Sequence, residues 1–297
     1  MRTKPFGRTG VAISEIGVGT YNYRGGAALL RNAIAAGASF IDTAESYATE
    51  DVIREAIKGR QVFIATKVSP QNYRREDFRK SVDASLQKLG IETIDLLQLH
   101  YPNPEIPIQE TMGAMAAAIA AGKVRFGGVS NFSVAQLQEA QKIQSIASNQ
   151  VRYNLIDRTI EKDLLPYCQQ NGVTVIAYSP LSKGLSRIIE CDPTGAIAEI
   201  ARATGKTAGQ VALNWCLCHE GVVAIPGANS AQHMAENCAA SDWRLSAEQL
   251  NALNTRIVFR HRNRLDAMLR KYLPPGIQSL GMRVLKGLPR GVRRRLT

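Results

Sequence analysis

Four side chains in the first hundred residues could together move a proton. Asp42 stands at the end of the apolar run "SFIDT", Lys67 ends "VFIATK" and His100 ends "IDLLQLH". Tyr47 follows Asp42 by five residues, in a loop of small and polar residues. A tyrosine at its ordinary pKa of about 10 is a poor acid. An ammonium beside it favours the phenolate and brings the hydroxyl closer to use as proton donor and acceptor near neutrality. A lysine in that place needs orientation and charge balance, which an aspartate supplies. A histidine can hold a substrate oxygen by hydrogen bond. The set suits a carbonyl whose oxygen gains a proton while its carbon gains a hydride. Acyl transfer fits badly, because no Ser–His–acid arrangement is evident. Metal-assisted hydrolysis also fits badly, since one histidine and one carboxylate do not make a zinc set, and no metal is expected. Walker A, H-E-x-x-H and G-x-S-x-G patterns are missing from the chain.

Such residues need a scaffold that gathers strand ends. Eight short apolar runs recur: "EIGVGT", "SFIDT", "VFIATK", "IDLLQLH", "VRFGGVS", "IASNQV", "VTVIAYS" and "VVAIP". Helical patterns lie between and after them, over 27–36, 50–58, 75–89, 108–121, 134–143, 161–170, 196–204 with 207–219, and 246–257. Gly37, Gly90, Gly122, Gly172 and Gly221 stand where left-handed helix caps are expected. Strands buried on both faces and followed by helices imply parallel βαβ units. Eight of them over roughly 250 residues match a closed barrel. The expected class is therefore α/β, a (β/α)8 TIM barrel with an N-terminal β-hairpin ("KPFGRTGVAIS") and a basic C-terminal extension. A doubly wound open sheet is the alternative, but its dinucleotide signature fails: Gly17 and Gly19 are followed by Asn22 at the third position. In a barrel the carboxyl ends of the strands form the active-site rim. Strands two to seven then deliver Asp42, Lys67, His100, Ser130–Asn131, Asn149–Gln150 and Tyr178–Ser179 to one place.

Charge is unevenly spread. Residues 256–297 hold 12 of the 37 Lys/Arg and one of the 25 Asp/Glu, a net +11, so 1–255 is nearly neutral at +1. This divides the chain into a catalytic barrel over 1–255 and a basic extension over 256–297. The longest uncharged Ala-rich stretch, 111–122, is too short for a membrane span. "MRTKPFGRTG" has no apolar run of a secretory signal behind it. Five cysteines without zinc spacing read as reduced thiols, and the expected location is cytoplasmic.

Taken together, "FGRTGVAISEIGVGT", "FIDTAESYATE", "FIATKV", "IDLLQLHYP", "GKVRFGGVSNF", "NQVRYNLIDR", "VIAYSPLSKG" and "VVAIPGANSAQHMAEN" resemble the aldo-keto reductases, in that family's order, from residue 3 to about 255. The resemblance implies a (β/α)8 barrel that binds NADPH in extended form and reduces aldehydes and ketones. It places the catalytic tetrad on Asp42, Tyr47, Lys67 and His100, with Tyr47 as general acid. It assigns Ser130, Asn131 and Gln150 to the nicotinamide carboxamide and Tyr178 to the face of its ring. Ser179, Leu181 and Gly184 fall near the pyrophosphate, Gly227 in the loop that follows the last strand, and Glu236 and Asn237 at the adenine. The chain departs from the family pattern in three places. Ala48 stands where the family often has Gly. The piece before the first helix is short. The loop "PGANSAQHMAEN" has no Lys or Arg for a 2′-phosphate; Asn229 and His233 occupy the corresponding positions. NADP(H) is favoured over NAD(H) as the family default.

Tyr21, Tyr23, Arg24, His100, Tyr101 and Phe132 follow strands one, four and five and could line a pocket mouth, with Tyr21, Tyr23 and Tyr101 forming an aromatic wall for small aromatic or aliphatic carbonyls. The expected partner is thus a small-molecule carbonyl substrate. The 256–297 tail offers contact with an anionic surface such as acidic lipid; nucleic acid is the least favoured partner, because the tail lacks aromatics to stack on bases. A second function stays open beside the reductase: a nucleotide-binding barrel that senses redox state and regulates a protein partner.

Overall fold

The computed structural model describes residues 1–259. The first of two compact units, Met1–Val258, holds every element named below. Beyond residue 259 the basic extension lies outside the described residues.

A hairpin comes first, β1 (Thr3–Pro5) antiparallel to β2 (Ala12–Ser14). Six strand–helix repeats follow. They are β3 (Val18–Gly19) with α1 (Gly26–Ala35), β4 (Phe40–Asp42) with α2 (Glu50–Ile57), and β5 (Phe63–Val68) with α3 (Arg75–Leu89). Next come β6 (Ile94–Leu99) with α4 (Ile108–Ala120), β7 (Val124–Ser130) with α5 (Val134–Gln141), and β8 (Ile146–Arg152) with α6 (Leu164–Asn171). After β9 (Thr174–Tyr178) stand α7 (Leu185–Ile189), α8 (Ala196–Thr204) and α9 (Ala208–Leu217); after β10 (Val222–Ala224) stand α10 (Ala231–Ala239) and α11 (Ala247–Arg256).

Strands β3 to β10 pair in sequence order, all parallel. The two ends of this sheet then meet. Ile16 bridges Ala224 in parallel, the Gly17 N–H donates to the Ala224 carbonyl at 2.8 Å, and the Ala224 N–H donates to Glu15 O at 2.9 Å. That closure makes the sheet a barrel and removes the open-sheet alternative. No helix among the described residues is long and apolar enough to cross a membrane.

Several helices start where the sequence supplies a reciprocal cap. Ser133, Thr207 and Ser246 each accept from the backbone N–H three residues on, and the glutamine there reaches back. The stretch "PGANSAQHMAEN", read above as a loop, contains α10. Ser230 accepts from the His233 N–H, and Met234, Asn237 and Cys238 bury one face at helical spacing. The single helix expected over 161–170 is instead a 3-10 turn, Thr159–Lys162, followed by α6, which Asp163 caps by accepting from Leu164 N.

Period-two alternation divides the apolar side chains into two layers. Ile41, Ile64, Leu97 and Leu99 point outward to the helices. Phe40, Phe63, Ala65, Leu96, Ile176 and Val223 point into the barrel, where Phe6 of the hairpin joins them. Phe6 meets Phe63 edge-on at 5.1 Å and Phe126 at 6.0 Å. Because Phe40 and Phe63 are the first residues of their strands, the hairpin plugs the amino end of the barrel. Gly7 makes this approach feasible: its φ is +54°, and a Cβ there would lie 2.8 Å from the Ala147 carbonyl oxygen.

One irregularity bears on the site. Between β7 and β8 the pairing steps from Gly127↔Ile146 to Gly128↔Ser148, so Ala147 is an extra residue in β8. Beyond this bulge the alternation is reversed. Gln150 enters the barrel, while the Asn149 amide turns away to donate to Phe132 O at 3.0 Å.

If the hairpin is an integral plug, Phe6→Ala should cost about 3–5 kcal/mol, as for other buried phenylalanines. The measurement is the urea unfolding midpoint of the full chain. A loss of less than about 1 kcal/mol would mean that the barrel stands without it.

Candidate active site

The carboxyl ends of β4, β5 and β6 hold Asp42, Lys67 and His100 side by side, because these strands are hydrogen-bonded neighbours in register. Asp42 is 2% exposed and Lys67 1%. A buried ionic group needs a partner and hydrogen bonds to offset its lost hydration. Lys67 Nζ donates to Asp42 Oδ2 at 2.6 Å and to the Thr43 carbonyl at 2.8 Å. The other carboxylate oxygen, Oδ1, accepts from Gln150 Nε2 at 2.7 Å and Gln98 Nε2 at 3.1 Å.

Tyr47 arrives on a 3-10 turn, Glu45–Tyr47, that follows β4. The turn ends at Ala48 with φ +54°, so the alanine found in place of the family's glycine sits in the left-handed region, where a Cβ costs about 1–2 kcal/mol. The Tyr47 hydroxyl lies 3.2 Å from His100 Nε2, and Lys67 Nζ lies 5.1 Å from the centre of the Tyr47 ring. The four predicted catalytic residues are therefore together.

The electrostatics differ from the expectation for Tyr47. Its pKa is raised, first by burial and then by the Asp42 charge. Lys67 lies over the ring while the hydroxyl faces His100, so burial outweighs the ammonium. Tyr47 rests as a neutral phenol. Burial also lowers Lys67, opposed by Asp42. His100 falls from 6.5 to about 4, through burial and then the Lys67 charge, and is neutral at pH 7.

A second group adjoins the first. The Tyr178 hydroxyl donates to Asn131 Oδ1 at 3.0 Å, Asn131 Nδ2 donates to Ser130 Oγ at 2.9 Å, and the Ser130 hydroxyl donates to Gln150 O at 2.9 Å. Asn131 has φ +62°, a conformation that asparagine tolerates better than most residues. Its Nδ2 also approaches the His100 carbonyl at 3.4 Å, which links the two groups.

Ser179, Leu181 and Gly184 lie in one tight loop between β9 and α7. Ser182 N–H donates to Ser179 O at 2.8 Å and Gly184 N–H to Leu181 O at 2.9 Å. Gly227 is exposed just after β10, beside Gly19. Glu236 and Asn237 lie on α10; Glu236 accepts from Gln232 at 2.9 Å and Asn237 is buried. Tyr21, 62% exposed, sets its ring edge-on to Tyr47 at 5.2 Å, and Tyr101, 48% exposed, stacks on His100 at 5.0 Å. Tyr23 is not brought to them: its hydroxyl donates to Gly26 O at 2.8 Å and its ring packs at the start of α1. Phe132, expected near the mouth, is instead a core residue. Gln98 was missed. It lies two residues before His100 in β6 and so shares its face, a signal present in the sequence but hidden inside an apolar run.

The carboxyl rim of this closed parallel barrel thus gathers a buried Asp–Lys pair, a tyrosine and a histidine. The aldo/keto reductase family model matches residues 9–257, and the chain belongs to that family of NAD(P)H-dependent reductases of aldehydes and ketones. Methylglyoxal reductase YeaE of Escherichia coli (strain K12) is 39% identical over 235 residues, spanning 76% of this chain and 82% of that protein. Aldo-keto reductase YhdN of Bacillus subtilis (strain 168) is 29% identical over 300 residues, spanning 83% and 91%. Among solved structures, an aldo/keto reductase from Klebsiella pneumoniae in complex with NADP and acetate superposes with a TM-score of 0.80 at 37% identity, covering 88% of this chain and 97% of that one.

Burial of a neutral His100 has a thermodynamic sign. Below pH 6.5 the unfolded chain binds the proton first, so this residue's contribution to stability should fall as pH drops from 6.5 and be fully lost below about 4. An NMR titration of the His100 imidazole should show no midpoint between pH 5 and 8. A midpoint near 6.5 would contradict the environment described.

Proposed function

We propose that the chain transfers hydride from NADPH to the carbonyl carbon of a small aldehyde or ketone while Tyr47 protonates the carbonyl oxygen. The observation that carries this reading is the Tyr47 hydroxyl, 3.2 Å from His100 Nε2, with the Lys67–Asp42 pair beneath its ring. A phenol kept neutral by burial is in the form that reduction requires. The carbonyl oxygen becomes strongly basic as its carbon accepts hydride, and it takes the Tyr47 proton. Lys67 then stabilises the phenolate left behind, and Asp42 balances Lys67. Neutral His100 can donate to the same oxygen and fix its position.

The residues also fit a nicotinamide cofactor. When bound, the reduced nicotinamide supplies the hydride. Asn131 Nδ2 is a donor and the Gln150 amide offers an acceptor, a pair complementary to a carboxamide, and the Tyr178 ring stands beside them. The loop after β10 lacks a cation, yet Asn229 Oδ1 accepts from the Arg24 backbone N–H at 2.7 Å, so the main chain of Arg24 lies beside that loop and its long side chain starts within reach of it. A guanidinium pairs well with a 2′-phosphate, which supports NADP(H) over NAD(H). Exposed Tyr21 and Tyr101 flank the acid and favour a small carbonyl, and the likeness to a methylglyoxal reductase supports including 2-oxoaldehydes in that class.

Steady-state loss of reduced-nicotinamide absorbance, with a panel of aldehydes that includes methylglyoxal, tests this reading. NADPH should exceed NADH in kcat/KM by roughly ten-fold, the worth of about 1.4 kcal/mol. Tyr47→Phe should lower kcat by roughly 10²–10⁴-fold, the usual contribution of a general acid, and leave NADPH affinity nearly unchanged. Substantial turnover by that variant would refute the assigned acid.

A further inference from the structure

Gln98 and Gln150 reach Asp42 from different strands, and they also reach each other. Both Nε2 groups donate to Asp42 Oδ1, and Gln150 Nε2 donates in addition to Gln98 Oε1 at 3.2 Å. All three side chains are buried. A carboxylate paired with Lys67 can only accept, so each amide must turn its nitrogen toward it. One N–H of Gln150 is spent on Asp42 and the other on Gln98. Its remaining hydrogen-bonding capacity is the acceptor oxygen, Oε1. Gly128 leaves room for this arrangement, because a Cβ there would lie 3.2 Å from Gln98 Cγ and 2.7 Å from Ser148 Oγ.

We propose that Gln98 is a positioning residue for the cofactor: by taking the second N–H of Gln150, it makes that amide an acceptor only, so that the site admits a hydrogen-bond donor on the 3-substituent of the pyridine ring. The inference rests on the nicotinamide reading above and adds a selectivity to it. On the opposite side Asn131 Oδ1 accepts from the Tyr178 hydroxyl, while Asn131 Nδ2 commits one N–H to Ser130 Oγ at 2.9 Å and holds the other only loosely, 3.4 Å from the His100 carbonyl, so that N–H is the donor a ligand can recruit. A primary carboxamide satisfies both sides in one orientation alone, which fixes the face of the ring turned toward the substrate. Asp42 thereby serves both halves of the reaction, Oδ2 through Lys67 and Oδ1 through Gln150.

The test compares three oxidised dinucleotides by calorimetric titration at pH 7. They are NADP⁺, its 3-acetylpyridine analogue, which replaces the amide NH₂ by methyl, and its nicotinic acid analogue, which replaces it by a charged oxygen. The full-length protein should bind NADP⁺ roughly ten-fold more tightly than either analogue, since neither can donate to Gln150 Oε1. In Gln98→Leu the second N–H of Gln150 is released and can turn to the ligand. The gap to the nicotinic acid analogue should then shrink to within about three-fold, while the gap to the acetylpyridine analogue changes less. Gln98→Asn keeps a polar residue but withdraws its oxygen by one methylene, and it should give the same narrowing if the leucine variant does not fold. A purely structural role would weaken all three ligands alike and leave their ratios intact, and unchanged ratios in a folded variant would overturn the proposal. Equal binding of all three by the unaltered protein would overturn it with the cofactor reading preserved. Failure to bind any of them would remove the cofactor reading itself.

Discussion

Asp42 places a negative charge inside a barrel at 2% exposure, where hydration cannot stabilise it. Lys67 answers on one oxygen, Gln98 and Gln150 on the other, and three further strands are tied to β4 in doing so. Breaking such a pair leaves an uncompensated buried charge, at a cost of about 3–5 kcal/mol. The constraint therefore reaches beyond the carboxyl rim. Strand register, the depth of the lysine and the orientation of two amides all follow from meeting the needs of one carboxylate. Tyr47 and His100 stand above that network and inherit its charge balance.

The two ends of the barrel interior divide the work. Phe6, Phe40, Phe63 and Phe126 fill the amino end with edge-to-face and stacked rings, which pack densely and exclude water. The polar network fills the carboxyl end. A rigid apolar base lets the buried ion pair keep one geometry, because the strands beneath it cannot slide without breaking the ring packing. At the rim Tyr21 and Tyr101 are exposed, and their rings meet Tyr47 and His100 at the top of the site.

Much of this was legible in the residue order. Eight apolar runs separated by helical patterns implied a barrel, and polar residues ending successive runs implied a rim; both follow from local periodicity, which a sequence displays directly. What stayed hidden depends on three-dimensional contact. Gln98 sits among leucines and differs from a core residue only by what it meets across the barrel. The direction of the Tyr47 shift depends on where Lys67 Nζ ends, over the ring rather than at the hydroxyl. Tyr23 and Phe132 follow the correct strands, yet local packing turns one onto α1 and buries the other. The helix inside "PGANSAQHMAEN" was obscured by its Gly, Asn and Ser, although Ser230 is itself the cap that starts it.

The extra residue at Ala147 has a consequence for how the chain tolerates change. Asn149 and Gln150 are adjacent and chemically similar, and which of them faces inward is decided by a single added residue upstream. If the bulge closed with Ala147 still in the strand, the register beyond it would slip by one residue, presenting the shorter amide to Asp42 and pointing the longer one at the helices. Drift by substitution can be absorbed one side chain at a time. Drift by insertion or deletion between Ser148 and Gln150 cannot, because it moves Gln150 to the other face of the strand.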